Sequence, residues 1–294
     1  MTRISLLIVF AALICSSTTE AQQPPMPLWA AGQVPGEADV KLPAETVADK
    51  NNDGITRTSN VSVPTITLYP APVDHNTGTA VIVAPGGGYG ILASKHEGSD
   101  VCEFLNTIGV NAILLKYRVP RRQGLAKHHA PLQDAQRAIS LVRYHAKDWN
   151  IDPDRVGILG FSAGGHLAVM ALTSDGTRTF KIDHDLDEAS CVPDFGILIY
   201  PAYLISEEDR DELSAEIKVT QKTPPAFITV AHGDKKYVEG SARFYIEMLR
   251  NNRQCELHIY GHGGHGFGMK DIPEKVSEWP QRLADWMGAM GYLK

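Results

Sequence analysis

The sequence predicts one α/β domain: a mostly parallel central sheet with helices on both faces. Three observations carry this. From residue 64 onward, short apolar runs alternate with helical patterns, the arrangement that places crossover helices over a parallel sheet. The stretch 156–166, VGILGFSAGGH, runs from an apolar strand through Gly160-Phe161-Ser162-Ala163-Gly164 straight into an Ala/Leu-rich helical pattern. Finally, 294 residues at 43% hydrophobic and 21% charged supply the apolar material for a large core. A formal charge of −6 gives no electrostatic case for nucleic acid or an anionic membrane as partner.

Residues 1–21 stand apart, because Arg3 precedes an apolar run from Ile4 to Cys15 and small and polar residues follow up to Ala21. The run is short for a bilayer span and reads as a secretory signal peptide cleaved after Ala21. Ile14 before Cys15 disfavours a lipoprotein signal. The remainder, 22–294, is expected to be the catalytic domain. Its first part, 22–60, is rich in Pro, Gly, Asn and Asp without a sustained period, so an irregular surface segment is expected. Within it, Asp49 to Gly54 imitates half a calcium loop, but Asn60 stands where the bidentate glutamate belongs, and an Asx-rich turn is the better reading.

Strands are expected at Ile66 to Tyr69, Ala80 to Ala84, Ala112 to Tyr117, Val156 to Phe161, Phe195 to Tyr200, Ala226 to Ala231 and Leu257 to Tyr260. Helices are expected at Gly98 to Thr107, Pro131 to Asp148, Ala163 to Leu172, Val238 to Asn251 and Ser277 to Met290. Two connections are long. Thr173 to Asp194 carries the acidic run Asp183 to Glu188, read as a solvated loop rather than a metal cluster. Ala202 to Thr223 follows a strand's carboxyl end and is a candidate lid. After cleavage three cysteines would remain, Cys102, Cys191 and Cys255, compatible with one bridge and one buried thiol and no disulfide framework.

The chemistry starts at Ser162. A serine hydroxyl needs a base to become nucleophilic, and in this architecture a histidine later in the chain supplies it. The segment Gly261 to Gly268 offers His262 and His265; His265, in the more glycine-rich setting, is the expected base. Negative charge on a carbonyl oxygen requires backbone donors. Ala163 follows the serine at a helix start, and Pro85-Gly86-Gly87-Gly88-Tyr89 follows an earlier strand, so Gly87, Gly88 and Ala163 are the expected oxyanion-hole donors. A phosphate loop is disfavoured, since no Lys-Ser/Thr follows the glycines.

PGGGY, HEG at 96–98, LKYR at 115–118, PLQDAQRA at 131–138, GFSAGGHLA at 160–168, LIYPAYL at 198–204 and GGHGFGM at 263–269 together resemble the α/β-hydrolase superfamily. They are most similar to its secreted acetylesterase branch, acetyl xylan esterase-like and related to the hormone-sensitive-lipase group and to bifunctional deacetylase and feruloyl esterases. The resemblance spans residues 64–294 and implies the α/β-hydrolase fold and a serine carboxylesterase acting through an acyl-enzyme on small O-acyl esters, such as acetyl groups on carbohydrate. It implies no cofactor and no metal; the charge speaks against a nucleic-acid partner, and the leader implies a secreted or periplasmic location with no stable membrane association. Tyr89 and Phe267 are expected to narrow the substrate pocket. One position departs from the family pattern: counting from His232, the triad acid falls on Lys236. A carboxylate is needed to orient and stabilise the imidazolium. A short deletion after Asp234 would assign the role to that residue; Glu239, a carboxylate after Tyr200, or no acid at all are the alternatives. A small-amide hydrolase or peptidase, and a noncatalytic binding protein with a lost acid, are the rival functions.

Overall fold

A computed structural model describes residues 22–182, 184–206 and 208–294; the leader read in residues 1–21 lies outside the described residues. Eight strands make the main sheet: β1 (Met26–Pro27), β2 (Thr65–Tyr69), β3 (Ala80–Ala84), β4 (Asn111–Lys116), β5 (Val156–Phe161), β6 (Phe195–Ile199), β7 (Ala226–Ala231) and β8 (Cys255–Tyr260). Their spatial order is β1-β2-β4-β3-β5-β6-β7-β8. The pairs β1–β2 and β2–β4 are antiparallel, and every pair from β4–β3 to β7–β8 is parallel. The strands β3, β5, β6 and β7 are buried at every residue, as expected of strands covered on both faces.

Among the described residues five α-helices cover the sheet: α1 (Asp100–Thr107), α2 (His129–Tyr144), α3 (Ala163–Leu172), α4 (Val238–Arg250) and α5 (Trp279–Ala289). Because side chains alternate along a strand, two cores form. On one face Ile82, Ile158 and Ile228 pack with Leu132 and Ile139 of α2, Leu167 of α3 and Phe244 of α4. On the other, Val81, Leu159 and Phe227 pack with Val101 and Leu105 of α1 and with Trp279, Leu283 and Trp286 of α5. Among the described residues no helix is long and apolar enough to cross a membrane.

The 22–60 segment departs from its expected surface course. Leu28 and Trp29 are buried, and Thr46–Ala48 and Arg57–Ser59 join Leu92–Ala93 in a small antiparallel sheet. The anchor is polar. Asp134 of α2, fully buried, accepts hydrogen bonds from the Trp29 indole at 3.0 Å, the Arg118 Nε at 2.9 Å and the Arg118 backbone N–H at 2.9 Å. The Arg118 guanidinium in turn donates to the carbonyls of Pro35 and Ala130 and to Gln133. A composition-based reading does not see this, since the partners lie far apart in the chain. Asp49 closes the expected Asx turn, accepting from the N–H groups of Asp53 and Gly54. The acidic loop is less solvated than expected: Asp187 is buried and paired with Arg137. Cys102, Cys191 and Cys255 are all free thiols, so no bridge forms among them.

Removing one partner of a buried ion pair leaves the other charge without compensation, at a cost of about 3–5 kcal/mol. Asp134→Ala, which leaves Arg118 with Glu37 at 3.3 Å as its one carboxylate among the described residues and the Trp29 indole without its acceptor, is expected to lose about 3 kcal/mol, the lower end of that range, in chemical denaturation. A loss below about 1 kcal/mol would show that Asp134 is not what anchors the N-terminal segment.

Candidate active site

Ser162 occupies the junction of β5 and α3 with φ 52° and ψ −114°, a conformation that side-chain-bearing residues rarely adopt. Such a backbone costs about 1–3 kcal/mol and persists only where the surroundings hold it. Here the Ser162 N–H donates to Ile199 O at 3.0 Å, while Ser162 O accepts from the N–H groups of His166 and Ala202, both at 3.0 Å. The flanking glycines are required by space: a Cβ at Gly160 would lie 2.0 Å from Gly164 O, and one at Gly164 would lie 2.1 Å from Ala84 O.

On the loop after β8, His265 brings Nε2 to 2.8 Å from Ser162 Oγ. Its Nδ1 stands 2.5 Å from Asp234 Oδ2. The Asp234 side chain is only 3% exposed and lies in a tight turn, its N–H bonded to Ala231 O and its carbonyl accepting from Tyr237 and Val238 at the start of α4. With Nδ1–H donating to the carboxylate, the Nε2 lone pair faces the serine hydroxyl. The contacts to Ser162 and Asp234 are made by His265 and not by His262. Lys236 is exposed, with its ammonium 5.2 Å from the Tyr237 ring centroid, and Glu239 pairs with Arg210 and Arg243. The carboxylate against the imidazole is therefore Asp234, and the lysine turns away.

Gly86 to Gly88 form the turn after β3, against the elbow. A Cβ at Gly86 would lie 2.8 Å from Phe161 O and 3.0 Å from Ser162 Cβ. The Gly86 N–H is engaged by Glu97 Oε2 at 2.9 Å. Gly87 and Gly88 take φ +133° and +64°, and among the described residues their N–H groups and that of Ala163 have no hydrogen-bond acceptor. Three donors left open beside a candidate nucleophile can accept a developing negative charge.

The two aromatics expected to narrow the pocket do not line an open one. Tyr89 is completely buried and its hydroxyl bonds His166 Nδ1 at 2.8 Å; burying the whole ring gives it both apolar contact and a partner for its polar end. Phe267 is also buried, packed edge-on against Tyr200 with ring centroids 4.3 Å apart. Beside the triad opens a cleft of about 750 Å³ lined by Arg121, Lys127, Tyr203, Glu216, Lys236 and Tyr237 among others. Tyr237 also packs on His265, ring centroids 4.9 Å apart. The Ala202 to Thr223 connection thus supplies one wall of the cleft through Tyr203 and Glu216.

Two residues beneath the site were not anticipated from the sequence. Glu97 Oε1 accepts from the Tyr200 hydroxyl at 2.7 Å, and that hydroxyl accepts from the Gly268 N–H at 2.9 Å. Tyr200 also packs on the His265 ring at 4.9 Å. One buried chain of bonds thereby joins the glycine turn, the end of β6 and the histidine loop. Burial raises the Glu97 carboxyl pKa against the lowering effect of Tyr200 and Gly86. Burial likewise holds the Tyr200 phenol well above its usual value, so it remains a donor. The HEG motif contains Glu97, but its partner lies 103 residues away.

The chain matches the BD-FAE family model over residues 66–199. It is 33% identical to the acetyl ester-xyloside bifunctional hydrolase from Caldicellulosiruptor lactoaceticus, with a TM-score of 0.73 over 92% of this chain and 97% of that one. It is 30% identical over 237 residues to the acetylxylan esterase of Xylanibacter ruminicola, covering 73% of this chain and 46% of the relative. It is 31% identical over 219 residues to endo-1,4-β-xylanase B of Butyrivibrio fibrisolvens, covering 68% of this chain and 34% of the relative. The chain thus spans less than half the length of these two curated relatives. A carboxylesterase from Lactobacillus plantarum shares the fold at TM-score 0.66 and 19% identity over 85% of this chain and 98% of that one.

Tyr200→Phe removes the hydroxyl while keeping the ring, leaving a buried carboxylate oxygen and the Gly268 N–H unpaired. A stability loss of about 1–3 kcal/mol is expected in chemical denaturation. An unchanged midpoint would mean that the Glu97 network contributes nothing to holding the histidine loop.

Proposed function

Because the chain belongs to the acetylxylan esterase-like branch of the α/β hydrolases, we propose that it is a serine carboxylesterase that removes small acyl groups, acetyl foremost, from carbohydrate. The observation that carries this reading is the contact sequence Ser162 Oγ, His265 Nε2 at 2.8 Å and Asp234 at 2.5 Å. In this proposal His265 takes the Ser162 proton as Oγ attacks the ester carbonyl, and Asp234 stabilises the imidazolium that forms. The N–H groups of Gly87, Gly88 and Ala163 receive the charge on the carbonyl oxygen. His265 then returns its proton to the leaving alcohol, and an acyl-Ser162 ester remains. Water, deprotonated by the same imidazole, releases the acid and restores the serine.

The preference for acetylated sugar is supported by the names of the C. lactoaceticus and X. ruminicola relatives. The open cleft, with tyrosines beside charged side chains, suits a polar leaving group of more than one ring. Export through the leader of residues 1–21 belongs to the same proposal and rests on the sequence of that leader.

Acetate release from acetylated xylan and from p-nitrophenyl acetate tests the assignment. Ser162→Ala is expected to lower kcat by about 10⁵–10⁶-fold, and Asp234→Asn by about 10⁴-fold with KM little changed. Turnover that survives Ser162→Ala would overturn the mechanism, and turnover that survives Asp234→Asn would move the acid to another residue.

A further inference from the structure

One turn beyond Ser162, on α3, His166 is completely buried. Its Nδ1 is bonded to the Tyr89 hydroxyl at 2.8 Å, yet its Nε2 is buried with no hydrogen-bond partner. A second imidazole, His128 at the start of α2, stands with ring centroids 5.4 Å from it and has a buried Nδ1 that is likewise without a hydrogen bond. The third group is Glu216, on the connection after β6, with Oε1 3.8 Å from His166 Nε2. One ligand atom from each of the three residues lies within 4.8 Å of the others. None of these residues handles a proton or the acyl group in the ester chemistry proposed above, although Glu216 forms part of the cleft wall.

We propose that His128, His166 and Glu216 bind a first-row divalent cation of the zinc class, which ties the Ala202 to Thr223 connection to the first turns of α2 and α3. The separation argues for it. A carboxylate 3.8 Å from an imidazole nitrogen is too far for a hydrogen bond. Two ligands on one ion with bonds of about 2.0–2.1 Å stand about 3.3 Å apart in tetrahedral geometry and at most about 4.2 Å apart. The set is somewhat wider than that spacing, so the side chains close by a fraction of an ångström on binding, the 36% exposed Glu216 being freest to move.

The protonation states suit a cation. Burial lowers the pKa of both imidazoles, His128 to about 4, so each is neutral at neutral pH with a lone pair available. Glu216, as a carboxylate, is ionised at neutral pH without further help. When His166 Nδ1–H donates to the Tyr89 oxygen, Nε2 is left to ligate, the orienting bond that ligating histidines ordinarily make. Lys127 is the opposing charge beside the cluster, but its ammonium lies over the Tyr203 ring at 4.4 Å. Two imidazoles and one carboxylate select zinc or a neighbouring transition metal over calcium or magnesium, and they leave a coordination position open to water. Glu216 and Lys127 line the cleft, so an ion can reach the site from solvent.

The test needs no activity. The full chain, stripped with chelator, is titrated with zinc by calorimetry and with cobalt(II) by visible absorption. About one ion per chain is expected, with a ligand-field band for cobalt and a raised thermal midpoint. Glu216→Gln, a change on an exposed loop that keeps the fold, and His128→Ala are each expected to weaken binding by about 100-fold or more. Absence of binding in the wild-type chain would overturn the site. So would affinity retained in either variant, because the ion would then be held by other histidines. Both readouts are of metal binding and are separate from the Ser162→Ala and Asp234→Asn assays, so failure of the site and failure of the esterase reading are distinguishable.

Discussion

The positive φ at Ser162 is the constraint on which the rest of the structure depends. A serine in that conformation stands clear of both strand and helix, so its hydroxyl can be reached from the open side of the sheet. Holding it there requires a fully buried β5 below, the first turn of α3 above, the carbonyl of Ile199 from the neighbouring strand, and two positions without side chains. The parallel sheet supplies these supports together, because β3, β5 and β6 are adjacent and all end at the same edge. The glycine turn after β3 and the segment after β6 are consequently brought to the serine by the backbone itself.

Polar groups around the serine are arranged before any substrate arrives. Asp234 is sunk beneath His265 and the Glu97, Tyr200 and Gly268 chain runs beneath the glycine turn. Buried polar groups of this kind are costly unless every member is paired, and a paired set is stiff. Stiffness is useful here, since backbone donors lower a barrier only when already aimed at the place where charge develops. One turn along α3, His166 is buried in the same helix, so the cation site and the serine share one rigid element.

Much of this was legible from local pattern. The run 156–172 combines a buried strand, a glycine-framed turn and an apolar helix in unbroken sequence, and its bounds in the structure are those read from the residues. His265 was legible for the same reason, standing among glycines after the last strand. Asp234 was harder, because a lysine occupies the customary position and only the closure of the turn shows which side chain points inward. Contacts that join distant segments left no local signature. Trp29 meets Asp134 across 105 residues, Glu97 meets Tyr200 across 103, and His128, His166 and Glu216 come from three separate elements. Tyr89 and Phe267 were misplaced because an aromatic next to a site can equally face inward, and here the core claims both rings.

Covalent trapping reads the nucleophilicity of Ser162 without any substrate. Incubation with a p-nitrophenyl alkylphosphonate, followed by peptide mass spectrometry, is expected to release about one nitrophenolate per chain and to leave one phosphonyl group on Ser162. The adduct should be missing from Ser162→Ala and should form far more slowly in Asp234→Asn, whose imidazole is no longer held in the right tautomer. A phosphonyl group on any other residue, or full reactivity in the alanine variant, would contradict the account.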